Sequence, residues 1–172
     1  MAYETVLYEQ KGSIGMIRLN RPERMNAVIE QMYLDIRSVL KEVREDPHIR
    51  ALVLTGSVRT SPKGVGSMRA RELIFTGRVI AGPEAVAMGL ALKSVPVEQL
   101  MPEVLSFASA LAEKAPISLS LTKALIRQGP HRDMETVLLT ESEAILACMK
   151  TEDWREGVRS FAEKRKPVFK GR

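Results

Sequence analysis

The side chains able to do chemistry are few and scattered. Two histidines, His48 and His131, each sit in an expected loop beside a proline, with no cysteine or carboxylate at metal-ligand spacing. Both read as exposed loop residues. The single cysteine, Cys148, falls in the apolar helical run EAILACM. It reads as a buried, inert thiol, because a reactive thiolate needs an accessible, electropositive setting. Glu141 and Glu143 are two apart on an expected helix, so they point in different directions and do not form an acid–base pair. Glycines at 56, 64 and 66 follow the apolar run ALVLT and precede a helix, an order that phosphate-binding turns use. However, Arg69 stands where a dinucleotide fingerprint needs glycine or alanine, and no Gly-Lys-Ser/Thr triplet follows. No spacing suits zinc or calcium.

The elements that must position any site are strands early and helices late. Residues 5–10 and Ile14–Leu19, split by Gly12 and Ser13, read as a β-hairpin. Asn20, Arg21 and Pro22 stop the second strand. A helix is expected over 27–45, with Ile29, Met32, Ile36, Val39, Leu40 and Val43 recurring at three and four residues. Asp46 and Pro47 end it. The continuous apolar run Ala51–Thr55 reads as a buried strand in a sheet covered on both faces. The stretch GSVRTSPKGVG that follows reads as a loop. Helices are expected over 67–75, 82–88, 97–114, 117–127, 134–150 and 151–164, with one more short strand over 90–95. Pro83 sits in a first helical turn, where its missing N–H costs little.

At 172 residues, 45% hydrophobic and 27% charged, the chain suits one soluble globular domain. Aromatics are only 5%, so aliphatic residues and nine methionines must fill the core. One cysteine excludes an internal disulfide framework and fits a reducing compartment. The opening MAYETVLYEQ has no basic-then-apolar leader pattern, and no stretch reaches the roughly 20 apolar residues of a membrane helix. A cytoplasmic location is expected. Net charge is +5 and the pI about 9.5. The excess gathers in Lys164, Arg165, Lys166, Lys170 and Arg172, which read as a solvated tail. No aromatic platform accompanies them, so nucleic acid is not an expected partner.

Three stretches, taken in order, resemble the enoyl-CoA hydratase/isomerase (crotonase) family. IGMIRLNRPERMNAV, residues 14–28, is similar to the family's strand and its Asn-Arg-Pro-x-x-x-Asn-Ala turn. LVLTGSVR, residues 52–59, resembles the strand leading toward its first oxyanion-hole segment. RARELIFTGRVIAGPEAVAMGLALKSVP and the ending TEDWREGVRSFAEKRKPVFKGR resemble the family's later helices. The resemblance covers nearly all of the chain except residues 60–65. It implies an α/β fold: a partial crotonase-like spiral of ββα units with a C-terminal helical trimerisation region. Residues 1–59 would be its N-terminal ββαβ part, 60–66 a bridging loop and 67–172 a mainly helical part, all in one domain.

The departure carries as much meaning. In the family, Leu-Thr-Gly leads into a segment such as Phe-Cys-Ala-Gly-Ala-Asp, whose backbone N–H is one oxyanion donor. A later glycine-rich segment supplies the second donor, and the hydratase glutamates lie close to it. Here Gly56 passes through SVRTSPKGVG to Ser67, the start of a far later family helix. A large central block is absent, and no catalytic residue is assigned. Glu72 and Glu84 match no catalytic position of the family. What the resemblance carries over is contact with coenzyme A, which enters as part of an acyl-CoA thioester; no separate cofactor or metal is implied. Arg24, Met25 and Ala27 would line the CoA channel, and Phe161 and Lys164 would reach the nucleotide end. Self-association is expected, as a trimer or a hexamer of two trimers. Three readings follow: a catalytically impaired member in acyl-CoA (fatty acid) metabolism, an active hydratase with an improvised site, or a non-functional internally deleted product.

Overall fold

The computed structural model describes residues 3–24, 26–56 and 66–172. Its packing falls into two compact units, Met1–Phe107 and Ala108–Arg172. The expected bridge at 60–66 lies outside the described residues except for Gly66.

The first unit is built on a three-stranded sheet in the order β1-β2-β3. β1 (Val6–Lys11) and β2 (Ile14–Leu19) form the expected hairpin, with Lys11 opposite Ile14 and a two-residue turn at Gly12 and Ser13. β3 (Ala51–Thr55) runs parallel to β2, with Ile17 beside Leu54. Parallel neighbours require a crossover, and α1 (Glu30–Glu45) provides it. Val6, Ile17 and Leu19 from the hairpin close on Met32 and Val39 of α1 to form the core. Gly56 ends β3 at φ +130, and a Cβ there would lie 2.9 Å from Leu19. Only glycine fits that exit.

One polar contact ties α1 to the hairpin. Asp35 is buried among the core residues of the helix. Its Oδ2 accepts from Thr5 N at 2.8 Å and Thr5 Oγ1 at 2.7 Å, and its Oδ1 accepts from Gln31 Nε2 at 2.8 Å. The apolar stripe of the sequence reading is therefore displaced. Asp35 takes a core position, while Ile29 and Leu40 are exposed. α1 also starts at Glu30 rather than near 27, because Ile29 is still extended.

Beyond the sheet, α2 (Ser67–Thr76) ends at Gly77, whose left-handed φ of +62 lets its N–H bond Leu73 O. Arg78 then bridges back to Glu72 at 3.3 Å and forward to Glu84 of α3 (Gly82–Ala87) at 2.8 Å. The strand expected over 90–95 is absent. Gly89 N bonds Val86 O and Leu90 N bonds Ala85 O, a Schellman ending that uses the local donors to close α3. β3 also departs from expectation. Val53 is buried, but Leu52 and Leu54 are partly exposed, so the sheet is not covered on both faces there.

α4 (Val97–Ala112) carries the chain into the second unit. There α5 (Pro116–Gln128), α6 (Met134–Met149) and α7 (Glu152–Ala162) pack in sequence. Asp133 caps α6 by accepting from Thr136 N at 2.8 Å. Thr151 caps α7 by accepting from Trp154 N at 3.0 Å. The basic tail is pinned along α7 rather than solvated throughout. Asp153 is buried and accepts from Lys170 N at 2.6 Å and Gly171 N at 2.8 Å. Glu156 accepts from Val168 N and Arg165 Nη2, both at 2.9 Å. Arg172 O in turn accepts from Glu152 N at 2.7 Å, completing the first turn of α7.

Two outcomes test these anchors. Burial acts to raise the Asp35 carboxyl pKa, but the bonds from Thr5 and Gln31 outweigh it and hold it below the usual range. Its stabilisation is therefore complete above the unfolded value of about 3.9 and is lost as pH falls through the lower folded value. Asp35→Asn is expected to cost about 2 kcal/mol near neutral pH and to flatten the acid limb, measured by urea unfolding across pH. At the tail, the Arg165 guanidinium, aided by Val168 N, lowers the Glu156 pKa to about 2. Attachment through Glu156 should then persist through mildly acidic pH and fail as pH falls toward that value. Glu156→Gln should make trypsin cleavage after Lys164 and Arg165 severalfold faster at neutral pH.

Candidate functional site

The proposed channel turn is closed by its own backbone. Pro22–Arg24 form a single 3₁₀ turn. Asn26 sits in the left-handed region at φ +55, which asparagine tolerates better than most residues. Its Oδ1 accepts from Arg21 N at 2.9 Å, while its own N donates to Arg21 O at 2.9 Å. Ala27 N reaches Arg24 O at 2.8 Å, and Arg21 Nη1 reaches Ala27 O at 2.6 Å. Hydrogen bonds of this turn thus involve both Arg24 and Ala27, which are exposed. Met25 lies outside the described residues.

Phe161 and Lys164 are brought together at the C-terminal end of α7. Lys164 N donates to Phe161 O at 3.3 Å, and Lys164 turns the chain at φ +52. Phe161 is 87% exposed. Its ring borders a cavity of about 420 Å³ also lined by Ile117, Cys148, Trp154, Val158 and Phe169. Cys148 is half-buried in that wall rather than sealed in a core. Among the five tail cations, Arg165 is held by Glu156 and Glu163, and Arg172 by Glu152. Arg24 with Ala27 lies in the first unit, and Phe161 with Lys164 in the second.

Glu72 and Glu84 share the Arg78 guanidinium and are substantially exposed. Glu141 and Glu143 are exposed on α6. His48 donates its backbone N–H to Asp46 Oδ1 at 2.8 Å within a turn. Among the described residues, no group of three His, Cys, Asp or Glu could hold a metal ion. Sequence reasoning does not single out Asp153, the most deeply engaged acid of the second unit. The available signal is its position three residues before Glu156 on a helix preceding a run of cations.

Comparison with known proteins accounts for the arrangement. A sequence model of the enoyl-CoA hydratase/isomerase family matches residues 9–60 and 56–172 as two pieces. A crotonyl-CoA hydratase of Syntrophomonas wolfei is 23% identical over 257 residues, covering 98% of this chain and 99% of that protein. A short-chain-enoyl-CoA hydratase of Clostridium acetobutylicum is 36% identical over 111 residues, 64% of this chain and 42% of that protein. The crystal structure of an enoyl-CoA hydratase from Bacillus anthracis superposes with a TM-score of 0.89 at 21% identity, covering 98% of this chain and all of that one. One from Mycobacterium tuberculosis gives 0.89 at 16%, covering 98% and 99%. The first alignment is 257 positions long against 172 residues here, so at least 85 of its positions hold no residue of this chain. The two family matches meet at 56–60, which puts the missing block directly after β3. The chain therefore belongs to the enoyl-CoA hydratase/isomerase (crotonase) family and has the crotonase α/β fold with a large central block absent.

Proposed function

We propose that this chain binds an acyl-CoA thioester without carrying out the family's hydration chemistry. The observation that carries the proposal is the position of the missing block, immediately after the strand that leads to the first oxyanion segment. Forming a thioester enolate calls for two preorganised N–H donors on one oxygen, and losing one costs about 3 kcal/mol. Adding water to the double bond also calls for a positioned acid or base, worth roughly a hundredfold to ten-thousandfold. Glu72 and Glu84, the first two acids after the junction in sequence, are occupied by Arg78.

The binding half of the site is retained in this reading. Arg24, Met25 and Ala27 line the CoA channel. Phe161 and Lys164 meet the nucleotide end, with the exposed ring offering a stacking surface and Lys164 a phosphate contact. The protein acts in fatty acyl-CoA metabolism in the cytoplasm and associates with itself through the helices from Val97 onward, as a trimer or a hexamer of two trimers. The exposed apolar residues of those helices, among them Leu100, Phe107, Leu138 and Leu146, support this association.

Calorimetry with CoA and a crotonyl-CoA hydration assay test the proposal together. Binding without turnover above background is expected. Arg24→Ala or Lys164→Ala should each weaken CoA about threefold to tenfold, the scale of one exposed charge contact. Turnover abolished by Glu72→Gln or Glu84→Gln would overturn the impaired reading and identify an improvised base. Sedimentation at micromolar concentration should show oligomers, and a clean monomer would refute the association.

A further inference from the structure

The two edges of the sheet differ in chemistry. β1 carries Glu9 and Lys11, and Glu9 pairs with Arg18 of β2 at 3.6 Å. Charges of this kind guard an edge against adding another strand. β3 is ALVLT, with neither charge nor proline, and among the described residues nothing pairs with its outer side. Leu52 and Leu54 lie on the face they share with Gly15 and Ile17, and a Cβ on Gly15 would touch Leu52 Cδ1 at 3.0 Å. α1 packs against β1 and β2 on that face. Leu52 and Leu54 stay 36% and 45% exposed. The missing block begins where β3 ends, so the strand is followed here by none of the residues that longer relatives hold at that point.

The strand is also complementary to itself. Laid antiparallel on a second copy about a twofold axis at Val53, it sets Leu52 opposite the partner's Leu54 and Ala51 opposite the partner's Thr55. Directly opposed residues share a face, so two pairs of leucines meet on the exposed side. Arg50 falls opposite the partner's Gly56, and no like charges meet. We infer that β3 is a self-association edge through which two copies of this chain join, strand to strand, centred on Val53. The twofold contact is separate from the helices of the second unit. A five-residue strand pair is small, so the contact is weak and of micromolar order.

Register-specific cross-linking tests it. In a Cys148→Ser background, Leu52→Cys and Leu54→Cys proteins are oxidised separately and as a mixture. The mixture should give a disulfide-linked heterodimer at several times the yield of either protein alone. Like positions lie two residues out of register, about 8 Å apart, beyond the reach of a disulfide. Leu54→Lys, with its circular dichroism unchanged, should raise the dissociation constant of this contact at least tenfold by sedimentation. Equal cross-linking in all three samples would mean unspecific sticking and would overturn the inference. So would no cross-link in the mixture together with unchanged sedimentation of Leu54→Lys.

Discussion

A parallel pair of strands cannot be joined by a tight turn, and that constraint organises the first unit. The chain leaving Leu19 must cross the sheet before it can lie beside β2 as β3. α1 is that crossing, and its position decides which apolar residues acquire a partner. Met32 and Val39 reach Val6, Ile17 and Leu19. Leu52 and Leu54, one strand further out, lie beyond the helix. Asp35 fixes the crossing by accepting both Thr5 donors, so the polar contact and the apolar core specify the same placement of one helix. Such agreement between levels makes a short ββαβ unit definite despite its small core.

The exit at Gly56 sets what the chain can do next. In a complete member of the family, the strand leads into donors aimed at a developing oxyanion, and later turns of the spiral bring the acids. Here eleven residues separate β3 from α2. Preorganised N–H groups cannot be replaced by a nearby carboxylate, because a carboxylate accepts and would repel an enolate. An acid already engaged by a guanidinium is also poorly placed, since the ion pair holds its oxygens. The geometry of Arg78 between Glu72 and Glu84 therefore bears on chemistry as well as on helix packing.

Much of this was legible in the residues. The bounds of β2 and β3 follow from Gly12-Ser13 and from Asp46-Pro47, punctuation that acts locally and needs no partner. The late helices keep their limits within a few residues for the same reason: Gly77, Pro116, Asp133 and Thr151 each act within one turn. Most of the failures are non-local. An apolar run such as ALVLT reports that its residues suit burial, not whether a covering layer exists. Residues 90–95 have strand composition, but their first donors are consumed in ending α3. Asp35 and Asp153 resemble solvated acids until the donors they face, Thr5 in one case and Lys170 with Gly171 in the other, are placed beside them. The expected CoA contacts rest on resemblance alone; periodicity does not distinguish Arg24 or Lys164 from other surface cations.

The tail clamp explains why loss of the middle need not dissolve the end. α7 is short, and in isolation its first-turn N–H groups would need water or a cap. Thr151 satisfies one of them, and the backbone oxygen of Arg172 takes two more, from Glu152 and Asp153. Asp153 and Glu156 bind the returning chain from the same helix. These contacts lie within residues 151–172. The segment bearing Phe161 and Lys164 is therefore stapled by its own sequence, as the loop bearing Arg24 and Ala27 is closed by Asn26 and Arg21. An oxyanion site, by contrast, depends on two distant turns converging on one atom. Removal of a central block spares segments that close on themselves and takes away only contacts that need distant turns to converge.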